Sequence, residues 1–268
     1  MRALPVIPSA VALLLALSPA ALAYEVKTTD GGEPLRWDGG ALVVELALDD
    51  APREVDAEAA EAAVRAAFAA WTAAIPEPMP VEVAALAAAD GDGEDAAAPI
   101  DAHDRKNIVT WVHEGWEERY DAEALAVTLT TFDPASGRIS DGDILINAKR
   151  YRWTAGDRPC QAAYDLQNVI THEVGHFFGL AHEPGERDAT MYVRSGTCET
   201  KKRDLDGDDV DGALFLYGSV PAPSVDPPGL AGCRVAAGGR GGAGAGLLVA
   251  TLALAGLVTI RKNRRFPR

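Results

Sequence analysis

Apolar positions in this chain follow two periods, and each predicts its own kind of element. Residues 41–48 form a near-continuous apolar run, as expected of a buried strand, and residues 81–86 and 107–112 repeat the pattern. Between them, residues 56–74 are alanine-rich and place Val64, Phe68 and Trp71 at helical spacing before Pro76, which predicts an amphipathic helix with Trp71 in the core. Residues 125–131 and 139–147 alternate as a strand pair around the turn-forming Asp133-Pro134-Ala135-Ser136-Gly137. Helical spacing returns at Leu166, Val169, Ile170 and Phe177, with Asp165 or a neighbour as the cap. Strands and helices of this kind and order predict an α/β (α+β) fold.

The two ends are built differently. Residues 1–23 carry Arg2, an apolar stretch and Ala21-Leu22-Ala23, the pattern of a cleaved export leader. From residue 220 the composition turns to Pro and Gly, with Cys233 inside this linker of residues 220–240. Residues 241–268 are an uncharged segment followed by Arg261, Lys262, Arg264, Arg265 and Arg268, which suits a membrane and a cytoplasmic basic end. What remains, residues 24–219, is long enough for one substantial core and is expected to act as a monomeric domain.

That middle portion holds 17 basic and 39 acidic residues, a net −22, so it is repelled by nucleic acid and by anionic lipid. Calcium is possible at Asp90, Asp92, Glu94 and Asp95, or at Asp204, Asp206, Asp208 and Asp209, but no pattern supports it. The second group lacks the closing glutamate of an EF-hand, and acidic residues at a helix N-terminus account for it. Of three cysteines, Cys160 and Cys198 can pair in an exported chain or remain free thiols, and Cys233 is left for the tail.

The chemistry concentrates in residues 172–182, where His172-Glu173-Val174-Gly175-His176-Phe177-Phe178-Gly179-Leu180-Ala181-His182 reads H-E-x-x-H-x-x-G-x-x-H. Residues four apart share a helix face, so His172 and His176 present two imidazoles to one ion. Gly179 can take the left-handed conformation that ends a helix and returns His182 as a third nitrogen donor. Three histidines on a tetrahedral Zn2+ leave one open position, where water has its pKa lowered toward about 7. Glu173 is then placed as the general base for that water.

This motif resembles the zinc site of metzincin peptidases, and Met191 falls where metzincins place the methionine of the turn beneath the zinc. Tyr192 directly after it, and Leu205 to Gly218 with paired aspartates and a closing Leu-Tyr-Gly, resemble the matrixin branch in particular. Over residues 36–218 the resemblance implies a twisted, mixed five-stranded sheet, two long helices, a zinc cleft and a small C-terminal subdomain after Gly179. It makes the first strand of the pair the antiparallel cleft edge, with Ala126, Val127, Thr128 and Leu129 receiving an extended peptide by main-chain hydrogen bonds. One catalytic zinc is implied. A second, structural zinc and the propeptide cysteine switch are not, since His103 and His113 are the only other histidines and no cysteine lies between residue 23 and Cys160. The tail around Cys233 resembles the myxobacterial C-terminal sorting signal, with a plain single-pass anchor as the alternative. Together these expectations describe an exported zinc endopeptidase at the cell surface or outer envelope, acting on polypeptides. The rivals are a catalytically silent zinc-containing adhesion module and a hydrolase of a non-peptide amide.

Overall fold

Strand β1 (Leu42–Leu46) and strand β2 (Val81–Ala85) pair in parallel from Leu42 with Val81 to Leu46 with Ala85, and helix α1 (Ala57–Ala74) makes the crossover that a parallel pair requires. The computed structural model describes residues 24–77, 79–86, 104–157 and 159–218. The expected leader, the acidic stretch from Asp90 to Asp95, His103, and the linker and tail with Cys233 lie outside these residues.

Strand β3 (Asn107–Val112) runs parallel to β1 on its other side and parallel to β5 (Ile139–Asn147), while β4 (Ala126–Phe132) lies antiparallel to β5. The order β2-β1-β3-β5-β4 is a mixed five-stranded sheet with β4 as its antiparallel edge, as the matrixin resemblance implied. Eight of the nine residues of β5 are buried, which suits its interior place between β3 and β4. Asp141 and Asp143 on this strand accept the amides of Arg105 at 2.7 Å and Ile108 at 3.0 Å, which fixes where β3 begins beside β5.

Helix α1 starts at Asp56, whose carboxylate accepts the Ala59 amide, and it buries Val64, Phe68 and Trp71. Helix α2 (Leu166–Phe177) packs against it: the Trp71 indole donates to the Thr171 carbonyl at 2.7 Å, and the Phe68 and Phe177 rings meet edge to face at 5.3 Å. Each of these fully buried aromatic side chains contributes about 1.5–3 kcal/mol by leaving water. Asp165 caps α2 through the Asn168 amide at 2.8 Å. Both of its oxygens also take the Arg203 guanidinium, at 2.9 and 2.6 Å, so the cap is tied to the short 3-10 turn Lys201–Arg203.

Two short elements were not foreseen from periodicity. Strands β6 (Trp153–Thr154) and β7 (Tyr164–Asp165) form a two-residue parallel pair that leads the chain into α2. Beside it the structure joins Cys160 to Cys198, with Cα atoms 5.5 Å apart, and the Cys198 amide donates to the Ala163 carbonyl. The bridge closes 38 residues of chain that contain the whole histidine motif, worth about 4 kcal/mol on the chain-entropy model, less native strain. Helix α3 (Gly207–Tyr217) follows a capping box made by Asp206 and Asp209.

Candidate metal centre

Helix α2 carries His172 and His176 one turn apart, and their rings cross at 4.8 Å. Past Phe178 the helix ends at Gly179, whose φ of +97° lies in the left-handed region. A Cβ there would strike the Leu35 carbonyl, so both conformation and space demand glycine. The turn swings His182 back over the helix, and one nitrogen from each of the three imidazoles falls within 4.8 Å of the others.

The orientation of the rings is set by backbone acceptors. His172 Nδ1 lies 2.6 Å from the Thr190 carbonyl and His176 Nδ1 lies 2.9 Å from the Leu180 carbonyl. A carbonyl can only accept, so each Nδ1 carries the hydrogen and each Nε2 keeps its lone pair for an ion. His182 Nε2 stands 3.2 Å from His172 Nε2. Two nitrogens at the usual zinc distance on a tetrahedral ion are separated by about 3.3 Å, so the donor set fits zinc. Burial holds His172, His176 and His182 below the usual imidazole range, which keeps them neutral as ligation requires.

Beside the first histidine, Glu173 is buried, and loss of hydration raises its carboxyl to about 7. Its Oε2 accepts the Thr128 hydroxyl at 2.7 Å, which joins α2 to the middle of edge strand β4. Lys27 reaches the same region from the N-terminal segment. Its Nζ donates to the His176 carbonyl at 3.2 Å, and burial lowers its ammonium to about 8. That segment also grips the turn through main-chain bonds, from the Lys27 amide to the Gly179 carbonyl and from the Ala181 amide to the Glu25 carbonyl.

Met191 closes the floor. It is 1% exposed and packs so tightly under α2 that a Cβ on Gly175 would collide with its sulfur and lie 2.7 Å from the Trp71 ring. The turn that carries Met191 hangs from α3: Asp209, fully buried, accepts the amides of Thr190 at 2.6 Å and Met191 at 3.0 Å, as well as that of Asp206 at 2.9 Å. Glu183, next to the third histidine, donates its amide to the Met191 carbonyl at 3.0 Å. Tyr217 ties the last helix to the end of the motif helix, its hydroxyl donating to the Phe178 carbonyl at 2.7 Å.

The structure therefore brings together His172, Glu173, His176, His182, Met191 and Thr128, with Ala126, Val127 and Leu129 on the same edge strand. His113 stands apart, exposed, with its Nε2 2.7 Å from the Asp50 carbonyl. The Tyr192 ring has the Nζ atoms of Lys201 and Lys202 at 5.9 and 6.0 Å from its centroid. Lys27, Asp209, Gly175 and the Thr128 hydroxyl were not recognised as parts of the site from sequence. Gly175 alone had a local signal, because glycine inside a helix costs about 1 kcal/mol against alanine unless close packing requires it.

Comparison with known proteins agrees with this geometry. The Matrixin family, Peptidase M10, matches residues 36–218. The chain is 48% identical over 66 residues to Metalloendoproteinase 1-MMP of Arabidopsis thaliana, covering 25% of this chain and 18% of that protein. It is 40% identical over 85 residues to Metalloendoproteinase 1 of Glycine max, covering 31% and 27%. With human neutrophil collagenase it shares 37% identity over 100 residues, covering 37% and 19%. The chain thus spans less than a third of the length of these curated relatives. The family match, by contrast, takes in well over half of this chain, including every residue of the histidine centre and the Asp209 anchor, and the chain belongs to the matrixin family.

Proposed function

We propose that this protein is a zinc endopeptidase that cuts extended polypeptides. The observation that carries the reading is the convergence of three neutral imidazoles beside a buried carboxylate that touches the edge strand of the sheet. His172, His176 and His182 would hold the ion, with Met191 beneath it. Zinc, when bound, acidifies water and polarises the scissile carbonyl. The substrate main chain pairs with the outer side of β4 at Ala126–Leu129, which brings its scissile bond to Glu173, itself bonded to Thr128 of that strand. Glu173 takes the proton of the attacking water and returns it to the leaving amine.

A broad peptide library digested by the purified protein tests this. Cleavage that a chelator abolishes and added zinc restores is the expected result. A chain carrying one zinc that cuts nothing would leave the silent adhesion module as the better account.

We further propose that the enzyme is exported by residues 1–23 and fixed to the cell surface through residues 220–268, with residues 24–219 as the catalytic portion. The small-residue cleavage pattern and the apolar segment with its basic end support this. Cells producing the Cys233→Ser chain should accumulate full-length, unprocessed protein if the tail is a sorting signal. An unchanged size and location on immunoblots of cell fractions would leave a plain anchor instead.

A further inference from the structure

We propose that Thr128 is a positioning residue for Glu173, one that indexes the carboxylate to the strand along which the substrate lies; this rests on the peptidase reading above. Its hydroxyl oxygen is 2.7 Å from Glu173 Oε2 and 3.0 Å from the Glu173 carbonyl oxygen. A hydroxyl has one hydrogen and two lone pairs, and both of these neighbours can accept. The hydroxyl hydrogen therefore bridges the carboxylate and the backbone of the same residue from the strand side, which fixes the carboxyl group in one orientation relative to β4.

The position matters as much as the group. Thr128 is the third residue of β4, paired with Ile144 of β5, so its height above α2 is set by the sheet register. Threonine is common in strands because its branched side chain packs well there, and valine would serve that purpose equally. Only the hydroxyl distinguishes them, which makes the isostere the informative variant.

The test compares kcat, KM, zinc content and melting temperature for the full-length protein and three variants, on one peptide from the library. Thr128→Val should lower kcat by about ten- to hundredfold, the loss of a hydrogen bond to a charged group, with KM within about twofold and zinc and melting unchanged. Thr128→Ser should recover most of the rate. Thr130→Val, two residues on and on the same face of the strand, should behave as wild type. An active wild type with an equally fast Thr128→Val, a serine variant no better than valine, or an effect confined to KM would overturn the assignment alone. A zinc-loaded wild type with no activity would overturn the peptidase reading and this one with it.

Discussion

Replacing Glu173 with alanine should lower peptide cleavage by roughly 10²- to 10⁴-fold while the protein stays folded and keeps its zinc. The ligand nitrogens do not depend on this side chain: their orientation comes from the Thr190 and Leu180 carbonyls, and Met191 is held from α3. Nor does the fold need a charge here. Burial raises the Glu173 carboxyl to about 7, above its ordinary 4.5, so the folded chain binds a proton that the unfolded chain has released across that interval. The group therefore favours folding below about 4.5, and that advantage is lost as pH rises toward 7, where the ionised buried group is a cost. The metal-free alanine variant should melt no lower than wild type at neutral pH. Metal analysis, calorimetry and kcat/KM on the same preparations decide the matter; a variant retaining a tenth of wild-type activity would remove Glu173 from the proton-carrying role.

The second large effect is expected at Asp209, far from the reacting atoms. Alanine there leaves the amides of Thr190, Met191 and Asp206 without their acceptor, and the first two are buried. At about 1–3 kcal/mol for each orphaned buried donor, the fold should lose roughly 3–5 kcal/mol. The same turn supplies the Thr190 carbonyl that holds His172 Nδ1, so zinc affinity should fall as well, by about 10- to 100-fold as for other supports of metal ligands. Urea unfolding and chelator competition measure the two losses. Asp208 is the control: its carboxyl, raised to about 6 by burial and the neighbouring acids, gains nothing from its charge, and alanine there should cost little. Equal losses at the two positions would mean that the acidic helix start as a whole, and not the grip on the methionine turn, carries the effect.

The histidine offsets, the Gly179 turn, the Asp165 cap, the two helices and the five strands of the sheet were legible before any coordinates. Each depends on residues within a turn or two of one another, where backbone geometry alone links spacing to position. Trp71 was recognisable as core for the same reason. That its indole would hold the Thr171 carbonyl, with its ring against Gly175 beneath the metal ligands, was not, because the partner lies 100 residues further along the chain.

The sequence by itself thus determined the spacing of the candidate ligands and base and the succession of strands and helices, since these follow from local periodicity and from donor chemistry at short spacing, while the place of Met191 came from the family resemblance. Only the tertiary structure decided what holds them. Lys27 reaches His176 across 149 positions, Thr128 meets Glu173 across 45, and Asp209 grips Thr190 across 19. Such pairs form where buried polar groups must find acceptors after the sheet and helices have packed, and the identity of the partner depends on which surfaces meet. Spacing along the chain carries no record of that meeting.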